Sequence, residues 1–141
     1  MLQPVVIDGI RTPIGKLNGA MKDIQPEEIA AFLLQKICER SHLDIRLLDA
    51  VILGQAKQSS DQPNIARLAA LMTKFPLEVQ AYTVHRQCGS GMQAVQNAAQ
   101  EIMCGYADFV LAGGIESMSN AQYYLREARR GYAVGLSLIH I

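Results

Sequence analysis

The chain has 141 residues, half of them hydrophobic and 18% charged, which is a globular domain's worth of sequence and not a disordered segment. Thirteen basic residues balance thirteen acidic ones, so nothing electrostatic argues for nucleic acid or an anionic membrane as partner. No apolar run approaches the ~20 residues of a membrane span, and no secretory core segment is present. The three scattered cysteines, Cys38, Cys88 and Cys104, form neither a disulfide framework nor a metal-ligand cluster. The expected setting is reducing and cytoplasmic.

In chain order, Val5-Val6-Ile7 is a short apolar run ending near Gly9 and is expected to be a buried strand. The loop after it, Arg11-Thr12-Pro13-Ile14-Gly15-Lys16, fails as a phosphate loop. Five residues separate Gly9 from Gly15 instead of four, and Leu17 stands where magnesium would need Ser or Thr. Arg11 and Lys16 are read as solvated loop charges, with contact to an anionic ligand as the alternative. A helix follows, with Pro26 at its first position and Glu27 and Glu28 in the first turn, where the dipole favours them. Ile29, Phe32, Leu33 and Ile37 are expected to make its apolar face, with Cys38 beside it as a core residue.

Residues 43–49 read as a short helical turn, and Ala50-Val51-Ile52-Leu53-Gly54 as a second buried strand. The polar stretch 58–64 leads into a helix over 65–73, packed through Ile65, Leu68, Ala69 and Met72. Residues 79–87, rich in Val, Tyr and Thr, predict a third strand. The turn Cys88-Gly89-Ser90-Gly91 joins it to an alanine-rich helix with Met92, Val95, Ala99, Ile102 and Met103 at helical spacing. Residues 108–114 are apolar without alternation and predict a fourth strand buried on both faces. The polar loop 114–120 then leaves the sheet at its C-terminal edge, where ligands of open α/β sheets bind. The order β-α-β-α-β-α-β implies an α/β layered fold with helices on the faces of the sheet.

Cys88 stands out within this pattern. At a strand-to-helix turn the unpaired N–H groups of the helix start and the helix dipole favour thiolate over thiol. Gly89 and Gly91 allow a tight turn and close approach by a substrate. The plain alternative is the one that applies to any free cysteine, a small core residue. A nucleophile needs a base and oxyanion donors. The backbone around 89–91 can donate, but the base is missing from the pattern. His85 lies three residues upstream and so projects to the opposite face of a strand, His42 follows the first helix, and His140 lies in the tail. A rival reading takes Gly89-Ser90-Gly91-Met92-Gln93-Ala94 as the GxGxxA dinucleotide fingerprint. That reading needs an acidic residue ending the next strand; Asp108 begins its strand instead, and Glu116 lies too far along.

The stretch VHRQCGSGMQAVQNAAQEIMCGYADFVLAGGIESMSNAQYYL strongly resembles the thiolases, the acetyl-CoA acetyltransferase and 3-ketoacyl-CoA thiolase group. The opening VVIDGIRTPIGKLNGAMKDI and the later VILGQ, NIARLAAL and RRGYAVG resemble the same family in the same order. The resemblance implies a layered thiolase-like fold of which residues 1–135 are a partial N-terminal half, with 136–141 an atypical tail. It implies that Cys88 accepts the acyl group from an acyl-CoA and passes it to a second CoA thiol. In the reverse direction the acyl-enzyme condenses with the enolate of acetyl-CoA.

CoA is then a substrate, and no metal or resident cofactor is implied. A place in fatty acid metabolism, a homodimer or homotetramer, and pairing of the strand over 79–87 with its counterpart in a second copy also follow from the resemblance. The CGSG form leans toward short-chain acetoacetyl-CoA enzymes. Family members also carry a histidine in a Gly-His-Pro context and a second cysteine in a Cys-Gly-Gly-Gly context, and neither occurs in these 141 residues. The expectation is therefore an N-terminal piece that does not complete a turnover alone. The alternatives are a condensing enzyme using acyl carrier protein, which the neutral charge balance does not favour, and a non-catalytic partner keeping the sheet for CoA binding or dimerisation.

Overall fold

The structure, a computed structural model, describes residues 2–126, 128 and 131. The expectations for 136–141 and for His140 fall outside those residues. The elements are α1 (Pro26–Ser41), a 3-10 turn (Ile45–Leu47), β1 (Ala50–Gly54), α2 (Ile65–Met72), β2 (Gln80–Val84), α3 (Ser90–Cys104), β3 (Val110–Gly114) and a second 3-10 turn (Met118–Asn120). The strands form one parallel sheet in the order β2-β1-β3, with Ala50 level with Gln80 on one side and with Val110 on the other.

Because β1 is central, both of its faces are covered and all five of its residues are buried. Its side chains alternate between two cores. Val51 and Leu53 face α1 and α2, meeting Leu34, Cys38, Ile65 and Ala69, whereas Ile52 faces α3 and meets Ala94 and Ala98. The result is a three-layer α/β/α arrangement, as the sequence implied.

Local chemistry fixes the element ends. The Gln25 N–H donates to the Glu28 carboxylate (2.8 Å), half of a capping box that starts α1 behind Pro26. His42 ends the helix in the left-handed conformation (φ 53°), and the Leu43 N–H returns to the Cys38 carbonyl at 3.0 Å. At the N-terminal edge of the sheet the Asp49 carboxylate accepts from the Asp108 and Phe109 N–H groups at 2.7 and 3.0 Å. At the C-terminal edge the Glu116 carboxylate accepts from the Ala56 and Lys57 N–H groups at 2.9 and 3.0 Å.

Several expectations are corrected. Residues 5–7 are not a strand: Val5, Val6 and Ile7 are 73%, 86% and 70% exposed. A strand needs a neighbour for its N–H and C=O groups, and none of the described strands pairs with these residues. The described order is therefore α-β-α-β-α-β. β3 is not buried on both faces, because it lies at an edge of the described sheet and its residues are half-buried or exposed. The helical faces are also rotated from those expected. In α1 the buried set includes Ala30, Ala31 and Leu34, while Phe32 is exposed; α3 buries Ala94 and Ala98 and exposes Met92, Val95 and Met103. Met72 of α2 is likewise exposed.

Candidate active site

Cys88 is exposed on the turn between the C-terminal end of β2 and the start of α3. Four hydrogen bonds close that turn. The Gly89 N–H donates to the Arg86 carbonyl (3.0 Å), and the Ser90 N–H donates to the Gln87 carbonyl (3.1 Å). The Ser90 hydroxyl accepts from the Arg86 N–H (2.8 Å) and donates to the Gln87 carbonyl (2.7 Å). Gln87 is held with φ 49°, the left-handed region that a residue with a Cβ rarely enters unless its surroundings fix it there. Its neighbour Cys88 is thereby presented outward.

The start of α3 rests directly on backbone. A Cβ at Gly54 would lie 2.2 Å from the Ser90 carbonyl carbon, and one at Gly114 would lie 3.1 Å from the Gly91 Cα. Only glycines at the ends of β1 and β3 let the helix sit this low. The first-turn N–H groups of α3 have no intrahelical acceptor and carry the positive end of its dipole toward Cys88.

A polar chain runs from the turn along α3. The Arg86 guanidinium donates to the Gln93 side-chain carbonyl, the Gln93 amide donates to Asn97 (2.7 Å), and the Asn97 amide donates to the Tyr82 hydroxyl (3.4 Å). Tyr82 then donates to the Glu101 carboxylate at 2.7 Å. Burial, with that hydrogen bond second, pushes the Tyr82 phenol above its ordinary value.

The remaining candidates do not converge on Cys88. His85 and His42 are exposed, and neither hydrogen-bonds to the Cys88 thiol. Arg11 and Lys16 are exposed, and Arg11 donates to the neighbouring Thr12 carbonyl. Cys38 is buried in the α1–α2 core, where desolvation and then the Glu39 carboxylate raise its thiol above the ordinary value. Asp108 precedes β3 and so lies at the edge of the parallel sheet opposite Gly89 and Gly91, leaving the dinucleotide reading without its acid. Sequence reasoning did not single out Ser90, Gly54 or Gly114. The one available signal was a glycine ending each of two apolar runs that flank the cysteine turn.

The thiolase N-terminal domain family matches residues 4–140. The chain is 39% identical over 135 residues to the 3-oxoadipyl-CoA/3-oxo-5,6-dehydrosuberyl-CoA thiolase of Escherichia coli K12, covering 94% of this chain and 34% of that protein. It is 39% identical over 135 residues to a probable acetyl-CoA acyltransferase of Staphylococcus epidermidis, covering 96% and 34%. The crystal structure of the Bacillus anthracis acetyl-CoA acetyltransferase superposes with a TM-score of 0.83 at 42% identity, covering 89% of this chain and 32% of that one. The chain thus spans about a third of the length of the curated relatives it matches. With the layered parallel sheet and these matches in agreement, the chain belongs to the thiolase family.

Proposed function

We propose that this chain supplies the nucleophile for thiolase-type acyl transfer between an acyl-CoA and CoA, with Cys88 as the acylated residue. The observation that carries the reading is the presentation of Cys88: an exposed thiol on a closed turn at the start of a helix seated on glycine backbone. The names of the relatives, which include thiolases and acetyl-CoA acyltransferases, support the same class.

In the thiolysis direction the Cys88 thiolate adds to the keto carbon of a 3-ketoacyl-CoA, and backbone N–H groups near the turn stabilise the oxyanion. Collapse of that adduct breaks the carbon–carbon bond. The two-carbon fragment leaves as the acetyl-CoA enolate and takes up a proton, while the acyl group stays on sulfur as a thioester. The thiol of a second CoA then attacks the thioester, and Cys88 is released as thiolate. In reverse, the enolate of acetyl-CoA attacks the acyl-cysteine in a Claisen condensation. In the family's pattern the proton transfers belong to the Gly-His-Pro histidine and the second cysteine, whose motifs are not in this sequence. CoA is a substrate here, and the reading asks for no metal or resident cofactor. The remaining parts of the proposal are a homodimer or homotetramer built through the open edge of β2, a preference for short acyl chains, and a cytoplasmic place in fatty acid metabolism.

The test is acylation followed by peptide mapping in the whole protein that contains this segment. Acetoacetyl-CoA is expected to leave an acetyl group on Cys88 and to protect that residue from iodoacetamide. Cys104, exposed at the opposite end of α3, is the internal control and should be neither acylated nor protected. Cys88→Ser is expected to lower thiolysis by at least about a thousandfold, the scale for loss of a covalent nucleophile. Full activity in that variant would refute the assignment. CoA binding with no acyl-enzyme would move the reading to a non-catalytic thiolase-like partner.

A further inference from the structure

We infer that Ser90 is a positioning residue for the nucleophile, holding Cys88 in its attacking geometry through the backbone that leads into it; this rests on the reading of Cys88 as the acylated residue. Ser90 is a polar side chain only 4% exposed, and it belongs to neither of the two hydrophobic core clusters. What its hydroxyl does is bond backbone on both sides of one peptide. It accepts from the Arg86 N–H at 2.8 Å and donates to the Gln87 carbonyl at 2.7 Å. Cys88 follows Gln87 directly, and Gln87 is the residue held in the left-handed region, with φ 49°.

Removing the hydroxyl leaves the Arg86 N–H without this acceptor and takes one of two donors from the Gln87 carbonyl, whose other donor is the Ser90 N–H. Gln87 then gains by relaxing out of the left-handed region, and its rotation swings the Cys88 peptide with it. The thiolate is then no longer held in one place at the start of α3, and its alignment with the oxyanion donors is lost. Binding of CoA does not pass through Ser90, which is buried. Its loss is therefore expected in the chemical step and not in affinity.

The experiment uses the whole protein, with acetoacetyl-CoA and CoA as the probe. Ser90→Ala is expected to lower kcat about 10–100-fold, the range for a displaced reacting group, with KM for CoA within about twofold of the unsubstituted protein. Ile65→Val, a core substitution facing away from α3, controls for lost stability alone and should leave both readouts in place. An unchanged kcat in Ser90→Ala, or a raised KM with kcat intact, overturns the inference.

A second measurement needs no variant. In the unsubstituted protein the Arg86 amide should be protected from hydrogen exchange, and exchange at the rate of a free amide overturns the inference even if Ser90→Ala does not fold. The two readings separate in the unsubstituted protein as well. Absence of acyl-Cys88 there defeats the nucleophile and Ser90 with it, whereas acyl-Cys88 with a fully active Ser90→Ala defeats Ser90 alone.

Discussion

The three cysteines differ by environment alone. Cys38 is buried in the α1–α2 core, and burial followed by the Glu39 carboxylate raises its thiol above the ordinary value of 9.0. The fold therefore holds this group neutral. Its contribution to stability is complete below pH 9.0, where the unfolded thiol is still protonated, and is lost as pH rises from there toward the higher folded value. Cys38→Ala is expected to remove that alkaline fall while adding a pH-independent loss from the missing sulfur; denaturation midpoints from pH 7 to 10 separate the two. An unchanged slope above pH 9.0 would mean that the thiol is not shielded. The roles of Cys38 and the position of Cys88 were legible because hydrophobic spacing and a strand–turn–helix boundary are local signals. Ser90 was not, since nothing in the identity of a serine says that its hydroxyl will be buried against its own turn.

At the scale of elements, close approach explains what hydrophobic periodicity misread. β1 was legible to the residue, Ala50–Gly54, because a central strand covered on both faces is a continuous apolar run. The helix faces were not. α3 lies so low on Gly54 and Gly114 that its buried residues are the small Ser90, Ala94 and Ala98, and the larger Met92, Val95 and Met103 turn away. The α1–α2 contact likewise runs through Ala30, Ala31, Ala66, Ala69 and Ala70. Counting large apolar residues finds the wrong face wherever alanine sets the distance.

Two predictions follow from that geometry. Gly54→Ala places a Cβ 2.2 Å from backbone that cannot move aside like a side chain, so it is expected to cost at least about 1–3 kcal/mol and to slow acylation of Cys88. Wild-type melting with full acylation would show that α3 does not rest on β1. Leu34→Ala should cost about 2–5 kcal/mol as a buried leucine. Phe32→Ala, by contrast, should stay within about 0.5 kcal/mol because the residue is 56% exposed. Urea midpoints of the two variants decide which face of α1 is the core, and equal losses would restore the face that the sequence suggested.

For the molecule as a whole, apolar surface outruns cover. Val5, Val6 and Ile7 read as buried strand because three β-branched residues in a row rarely face water, yet no described strand pairs with them. Ile14 is 93% exposed in the same part of the chain, and among the described residues β2 and β3 each keep one edge of unpaired N–H and C=O groups. An exposed apolar stretch and open parallel edges are each a template for association with another chain. These 141 residues expressed by themselves are therefore expected to self-associate, eluting ahead of a 15.5 kDa monomer and binding a hydrophobic dye before any unfolding transition. Val6→Lys, at a position 86% exposed, should shift the distribution toward monomer without changing the core, since it places a charge on the offending surface and touches nothing buried. A monodisperse monomer that unfolds cooperatively would refute the argument. It would mean that the N-terminal run finds cover within the chain and that the open edges of the sheet are closed by its own residues.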